Sequence, residues 1–551
     1  MSPLRFSLKT TFVCALALLV AACDLAGIQS DLEDATTVRL NVPAAPAEFA
    51  VTVIDATTQR PVSGEVSLTI AGDDAALIVD PLFYDPIEEV TTGSGTVALA
   101  LPDGTEVSPD APVRFDVIVR ADGYITTGRS IAIRSTGVDV FEVRMLPLSG
   151  DAPEGVSVAA ETEAGSTTNQ GRLRETITIT TPADAQTQAR ATVTIPADVT
   201  ITDARGRVLR GALSATVAYY SPQSSEAMAL FPGGFDDLAV TRADGSTARG
   251  GALQTVGFVS IDLFDEAGRR AEQFSAPLDV TMDVPAGLIN PETGAPVAAG
   301  DRIPVWTYDE ITGRWTEEGS FTAPGGSFVF GESTQAGLIP LGFSVDHLSN
   351  KAGGWYDTNA AACTEGAELV LTNRNHLPVR AVITAPGYSF NRTVHMLDDT
   401  LRLDGFPSNI PSANVAFFFE DGSLGSITVD NPCGARVEAA LTNVPTDRVT
   451  AEFISNVVCT SRNVTTLPSI LIQANRAGVT QPSYLRVENG ALTVSGLMMG
   501  AEYEVAVDYK TLDDTFQRYE HRFIAEGEVD QDGKVRIVQD FVDIQEVCAR
   551  L

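Results

Sequence analysis

Four histidines, His347, His376, His395 and His521, are the first candidates for acid–base or metal chemistry. None has a partner at the His-x-x-x-His or Cys-x-x-Cys spacing that lets two ligands meet one zinc ion. They read as solvated or core imidazoles, and no metal or cofactor is implied. No Gly-x-Ser-x-Gly elbow marks a nucleophile. Glu317-Glu318 could offer a glycosidase carboxylate. That chemistry needs two carboxylates held apart across a cleft, and an adjacent pair on a hairpin is more simply a solvated face. Asp530-Gln531-Asp532-Gly533 and Gly72-Asp73-Asp74 carry part of a calcium loop. A full loop supplies several more oxygens. The first lies between two strands and reads as a plain Asp-Gly turn; calcium at a domain junction stays open because the chain is so acidic. Trp306, Tyr308 and Trp315 could stack on a sugar ring. Their interleaving with β-branched residues fits core packing better.

The six cysteines divide by position. Cys14 lies in an apolar run near the N-terminus, and Cys23 follows that run. Cys363, Cys433, Cys459 and Cys548 fall in the last third. An even number in an exported chain reads as two disulfides. Three pairings are open. Cys363 with Cys433 and Cys459 with Cys548 is favoured, because each pair would bracket one compact segment. Each closed loop would be long, giving about 4 kcal/mol per bridge in the chain-entropy picture.

The export assignment comes from residues 1–22. Arg5 and Lys9 precede an apolar stretch from Phe12 to Ala22, shorter than the ~20 residues needed to span a bilayer. Val20-Ala21-Ala22-Cys23 then resembles the lipobox of bacterial lipoproteins. The resemblance implies cleavage before Cys23 and lipid on its thiol and amine, a stable anchor at ~0.8 kcal/mol per buried CH₂. Asp24 resembles an inner-membrane retention signal. The acidic residues Asp31, Glu33 and Asp34 resemble a surface-export signal, so the leaflet stays open between outer membrane or cell surface and a periplasmic face.

Net charge is −35, from 37 basic and 72 acidic residues. Such a surface argues against nucleic acid and anionic lipid headgroups as partners, since both want a basic face. Only Lys9, Lys351, Lys510 and Lys534 are lysines. This fits either a salty habitat or a codon bias toward arginine.

Beyond the anchor the pattern is one of short, alternating apolar runs between turn clusters, the mark of an all-β chain of tandem antiparallel β-sandwich domains, Ig-like or transthyretin-like. Residues 23–48 read as the lipidated Cys and a flexible acidic tether. Residues 49–148 form a first unit. Val51-Thr52-Val53-Ile54-Asp55-Ala56, Arg60 to Val66 and Ala121-Asp122-Gly123-Tyr124-Ile125 resemble the carboxypeptidase regulatory-like domain. That resemblance implies a small transthyretin-like sandwich without catalysis of its own. Residues 155–350 form a second unit. Its Gly300 to Asp309 and Thr312 to Gly319 strings, with Trp306, Tyr308 and Trp315 across a hairpin, resemble the extracellular domain of cartilage intermediate layer protein. Residues 355–445 and 446–551 read as two further sandwiches, each with a Cys pair. The function expected is non-enzymatic: a cell-envelope structural or adhesive module. It would be bound to the membrane through Cys23, with envelope proteins or glycans as partners. A carbohydrate-capture lipoprotein and an unrecognised hydrolase are the alternatives. Exposed aromatics at 300–320 would favour the first, and converging carboxylates or a histidine in a cleft within 355–551 the second.

Overall fold

The computed structural model describes residues 38–41, 45–185, 187–235, 238–249, 251–291, 293–318, 328–332, 337–357, 366–385, 391–396, 398–403, 410–420, 422–446, 448–460, 464–467, 469–479, 481–511, 515–527, 534–542 and 548. The chain is all-β, built of tandem β-sandwiches. Two short helical segments are described in full, a turn at Ala75–Leu77 and the four-residue helix Ser225–Met228.

The first unit has seven strands in two sheets. Ala47–Asp55 lies between Thr96–Leu101 and Gly137–Met145. Facing it are Glu89–Thr92, Val66–Ala71, Val113–Ala121 and Thr127–Ile133, in that order. Strand alternation sets the faces: Val66, Leu68 and Ile70 point inward while Ser67, Thr69 and Ala71 do not. Gly123 takes φ +82° in the turn after Ala121, a backbone region where a Cβ is strained.

The third and fourth units repeat this topology strand for strand. In the third, Ala367–Leu371 lies between Thr400–Leu403 and Arg436–Ala439, against Asn391–Met396, Val379–Thr384, Ser412–Phe419 and Gly422–Asp430. In the fourth, Val449–Cys459 lies between Ala491–Leu497 and Lys534–Val542, against Ser483–Val487, Ile470–Arg476, Glu502–Lys510 and Thr515–Ile524. In all three the first strand runs parallel to the last and antiparallel to its other partner named above. The Asn489-Gly490 hairpin tip has φ of +50° and +74°, as a two-residue turn that matches strand twist requires.

The second unit is larger. One sheet runs Val156–Thr167, Gly211–Tyr220, Ala252–Asp265, Asn350–Asp357, Val305–Asp309, Arg314–Glu317, Val240–Thr241, Thr247–Ala248. The other is centred on Gln273–Pro285 and Leu338–His347. Trp355 and Tyr356, which the sequence places at the start of the third unit, belong to a strand of this larger sheet.

The units are not strung out. Thr515 and Phe516 pair in parallel with Thr91 and Thr92, joining the four-stranded sheets of the first and fourth units into one of eight strands. Phe516 enters the first unit's core. Strand Ala47–Asp55 alternates in sequence, yet all nine residues are buried. Phe49, Val51 and Val53 fill the sandwich, while Ala50 packs against Leu471 and Tyr484 of the fourth unit. Part of the segment read as tether is also built into the fold. Val38–Asn41 pairs in parallel with Val464–Leu467, and Ala45, Ala47 and Glu48 are buried.

Cys459 and Cys548 form a disulfide, with Cα atoms 5.5 Å apart and 89 residues between them in sequence. Cys433 is disulfide-bonded; Cys363 and Cys23 lie outside the described residues. Replacing Cys459 and Cys548 together by serine releases an 89-residue loop in the unfolded chain, so we expect urea unfolding of the fourth unit to ease by about 4 kcal/mol. A change below 1 kcal/mol would show that the bridge does not restrain the unfolded chain.

Candidate functional site

The aromatic string of the second unit is not a sugar platform. Trp306, Tyr308 and Trp315 are 0%, 1% and 0% exposed, so none offers a face for a ligand to stack on. The hairpin is an inner part of its sheet, because Val305–Asp309 pairs with Asn350–Asp357 and Arg314–Glu317 pairs with Val240–Thr241. Trp306 Nε1 donates to the Gly354 carbonyl at 2.9 Å and Trp315 Nε1 to the Pro232 carbonyl at 2.7 Å. Both polar edges are thus satisfied in the core. Phe231 stacks on Trp315 at 4.7 Å. Tyr308 reaches the first unit: a Cβ on Gly128 would stand 2.2 Å from its hydroxyl. Gly128 and Gly233 exchange a backbone hydrogen bond at the same joint. The string glues two units together.

Glu318 and His347 come together around Lys351, one of the four lysines. Lys351 is fully buried. Its Nζ donates to Thr307 Oγ1 at 2.7 Å and lies 2.7 Å from His347 Nε2 and 3.3 Å from Glu318 Oε1. Thr307 also hydrogen-bonds Glu318. His347 Nε2 also lies 3.3 Å from Glu318 Oε1, and its Nδ1 sits 2.9 Å from Asp346 Oδ1. Burial pushes the Lys351 ammonium down to about 8 against the pull of Glu318. Burial alone would raise Glu318; the His347 hydrogen bond and the Lys351 charge instead bring it down to about 2. An amine with a lowered pKa is a nucleophile in principle. This one has no exposed surface, so no substrate reaches it. The cluster ties Thr307 and Lys351 of one sheet to His347 of the other. Glu317, its neighbour, lies 3.5 Å from Arg242, not across a cleft from a second acid.

Gly72-Asp73-Asp74 is likewise a joint. Asp73 pairs with Arg314 at 2.7 Å and with Arg249, both from the second unit. Asp74 accepts the Arg114 N–H. Asp530 to Gly533 lie outside the described residues. Among the described residues, no group of three or more His, Cys, Asp or Glu side chains is placed to hold a metal ion.

His395 marks the place where three units meet. Its Nε2 is 3.2 Å from Glu142 Oε1 of the first unit, and its ring packs edge-on to Tyr484 of the fourth at 4.8 Å. Burial opposes ionisation of Glu142, but the His395 bond and the Arg144 charge hold it well below the usual carboxylate range. Tyr484 hydrogen-bonds Thr52, and Gln473 donates to Thr96 at 2.9 Å and to Tyr484 at 3.1 Å. Ser94 donates to Asp508 at 2.7 Å. Glu48 is 1% exposed. Its Oε1 accepts the Leu471 N–H at 2.7 Å, while its Oε2 is buried without a hydrogen bond. Burial pushes it up to about 7, against the Leu471 hydrogen bond and the charge of Arg486. None of Glu48, Glu142 or Lys351 stood out in sequence. The scarcity of lysine was the one signal available. His376 is exposed at φ +61°, and His521 is half-buried on strand Thr515–Ile524.

No protein-family model matches the chain, and no curated protein matches it. Among solved structures it is similar to the Bacillus anthracis TIE protein at 10% identity, over 71% of this chain and 59% of that one, with a TM-score of 0.13. The full-length major pilin SpaD from Corynebacterium diphtheriae matches at 8% identity over 90% of this chain and 95% of its own, TM-score 0.14. BcpA, the major pilin subunit of Bacillus cereus, matches at 8% over 90% and 99%, TM-score 0.12. Superpositions this loose carry no functional weight.

Two carboxyls give opposite pH signatures. Glu318 ionises near 2 when folded and near 4.5 when unfolded, so its contribution is whole above pH 4.5 and fades as pH falls toward 2. Glu318→Gln should lower stability at pH 6 by about 3 kcal/mol, with the gap closing toward pH 2 in urea titrations. Glu48 ionises near 7 when folded, so its penalty grows as pH rises from 4.5 to 7. Glu48→Gln, which keeps an acceptor for Leu471, should be neutral at pH 4 and stabilising by up to about 3 kcal/mol at pH 8. A pH-independent effect would refute the assignment.

Proposed function

We propose that this chain is a non-enzymatic cell-envelope lipoprotein, anchored by lipid on Cys23, whose locked β-sandwiches serve as a structural or adhesive module. The observation that carries this reading is where the buried ionisable and polar groups sit. Glu48, Glu142, His395 and Asp508 all face a neighbouring unit, and Asp73 holds the second unit to the first. Side chains that could do chemistry serve joints instead. Buried polar joints of this kind, once satisfied, fix one arrangement of the units. A body whose first and last units share a sheet is a stiff object to present on a short lead. The lipobox resemblance supports the anchor, and the resemblance of residues 49–148 to a carboxypeptidase regulatory-like module supports a role without catalysis. Envelope proteins or glycans are the partners proposed; the charge of −35 disfavours nucleic acid.

Protease shaving of intact cells tests the placement, with a Cys23→Ser variant beside the native protein. We expect the native protein to fractionate with membranes and the variant to be released. Loss of the native protein on shaving would place it at the cell surface and support adhesion. Protection until the outer membrane is opened would sink the adhesive role and leave a periplasmic scaffold. A Cys23→Ser protein that stayed on the membrane would overturn the anchor.

A further inference from the structure

A groove opens beside His395, where the chain passes from one sheet to the other in two units: between strands Thr127–Ile133 and Gly137–Met145 of the first, and between strands Asn391–Met396 and Thr400–Leu403 of the third. It encloses about 200 Å³, part of it open to solvent, and lies at a joint between units, where small-ligand sites are favoured. Its floor is apolar: Phe141, Val394, Met396 and Leu401 are all buried. Its rim carries Arg134, Arg392 and Arg402 against Asp139 and Asp398. A second cavity shares Gly137, Val138, Met396 and Asp398 with the first and extends the groove. It adds Arg374 and Arg486 against Glu488. Arg374 is bound to Asp399 and to the Leu377 carbonyl, so it contributes charge, not a free fork. Arg486 lies 3.5 Å from Glu488 Oε1 and donates to the Ala45 carbonyl at 3.5 Å, so it too contributes charge.

The local balance reverses that of the whole chain. Acidic residues outnumber basic ones 72 to 37 overall, yet along this groove five arginines meet four carboxylates, with Asp399, the partner of Arg374, counted among them. A low-dielectric floor under such a rim focuses positive potential. We propose that the groove binds an acidic saccharide, its carboxylate on the arginine rim and its C–H face on the apolar floor. The guanidinium fork matches a planar carboxylate in two parallel hydrogen bonds. The hydroxyls of Ser135, Thr136 and Thr400 line the same rim and suit sugar hydroxyls. An acidic peptide is the poorer occupant. Peptides ladder onto free strand edges, and the edge strand here, Asn391–Met396, is covered by strand Gly137–Met145 at the His395–Glu142 contact.

The test is calorimetric titration of the full chain with a glucuronate trisaccharide, its carboxyl-reduced neutral counterpart, and a hexaglutamate peptide. The acidic trisaccharide should bind, more weakly as salt rises, and the other two should not. Arg402→Glu reverses an exposed side chain and should weaken binding at least tenfold. Arg436→Glu, an exposed arginine paired with Glu368 outside the groove, should leave binding unchanged. No binding at millimolar trisaccharide, equal binding of the neutral sugar or the peptide, or indifference to Arg402→Glu would each overturn the proposal. Glycan released from the producing cells' envelope forms a further arm. Binding there supports an envelope ligand; binding of the trisaccharide alone supports an environmental one. Trisaccharide recovered intact supports a pure binding site. Trisaccharide recovered shortened would support the site and overturn the non-enzymatic reading, so the two failures are distinguishable.

Discussion

The arrangement of this molecule depends on one strand being buried on both faces. Ala47–Asp55 gives its apolar face to the first sandwich and its other face, with Glu48, Ala50 and Thr52, to the fourth unit. A polar face can be withdrawn from water only if each group finds a partner. Thr52 finds Tyr484, and Glu48 finds the Leu471 N–H. Those partners lie more than 400 residues away in sequence. The first unit is therefore complete only in the presence of the last. The remaining units are fastened to that pair: the second at Gly128, Asp73 and Tyr308, the third at Glu142.

The shared topology of the first, third and fourth units makes such fastening simple. Each presents a four-stranded sheet with two edges, and exposed edges invite uncontrolled pairing. In the first and fourth units one edge of each is used up by the other, through Thr91–Thr92 and Thr515–Phe516. The fourth unit adds the strand Val464–Leu467, which takes up Val38–Asn41 from the other end of the chain. The disulfide from Cys459 to Cys548 closes the same neighbourhood, since Cys459 pairs with Val464. Both ends of the described chain are gathered at one sheet.

Local structure was legible in the sequence because alternation is a local signal. Val379–Thr384 and Ser412–Phe419 alternate buried and partly buried positions as their residues suggest, and Asn489-Gly490 announced its turn. Ala47–Asp55 shows where that signal stops. Its alternation of apolar and polar residues reads as one wet face, whereas the polar positions face another unit. The threefold repeat was invisible because it lies in strand pairing, which different side chains satisfy equally well. The joints were invisible for a related reason. His395 with Glu142, and Lys351 with Glu318, are pairs made by topology, without sequence spacing to mark them. The aromatic hairpin shows the limit from the other side. Its composition suits a ligand platform or a core, and only the neighbouring strands on both sides decide for core.

This dependence of the first unit on the last has a consequence for how the chain assembles. During synthesis the face with Glu48, Ala50 and Thr52 is made early, while Leu471, Gln473 and Tyr484 come several hundred residues later. Contacts between segments so far apart form slowly, because loop closure must precede them. In the interval three units of one topology coexist, each with open edges of similar shape, and cross-pairing is the competing outcome. Two features act against it. A net charge of −35 keeps partly assembled units apart through mutual repulsion. The joints themselves discriminate: a wrong unit set against Ala47–Asp55 would leave Glu48 and Thr52 buried without Leu471 N–H and Tyr484, a penalty of about 1–3 kcal/mol for each unsatisfied group and more for a charged one. The polar face that makes the first unit incomplete is thus also what selects its partner.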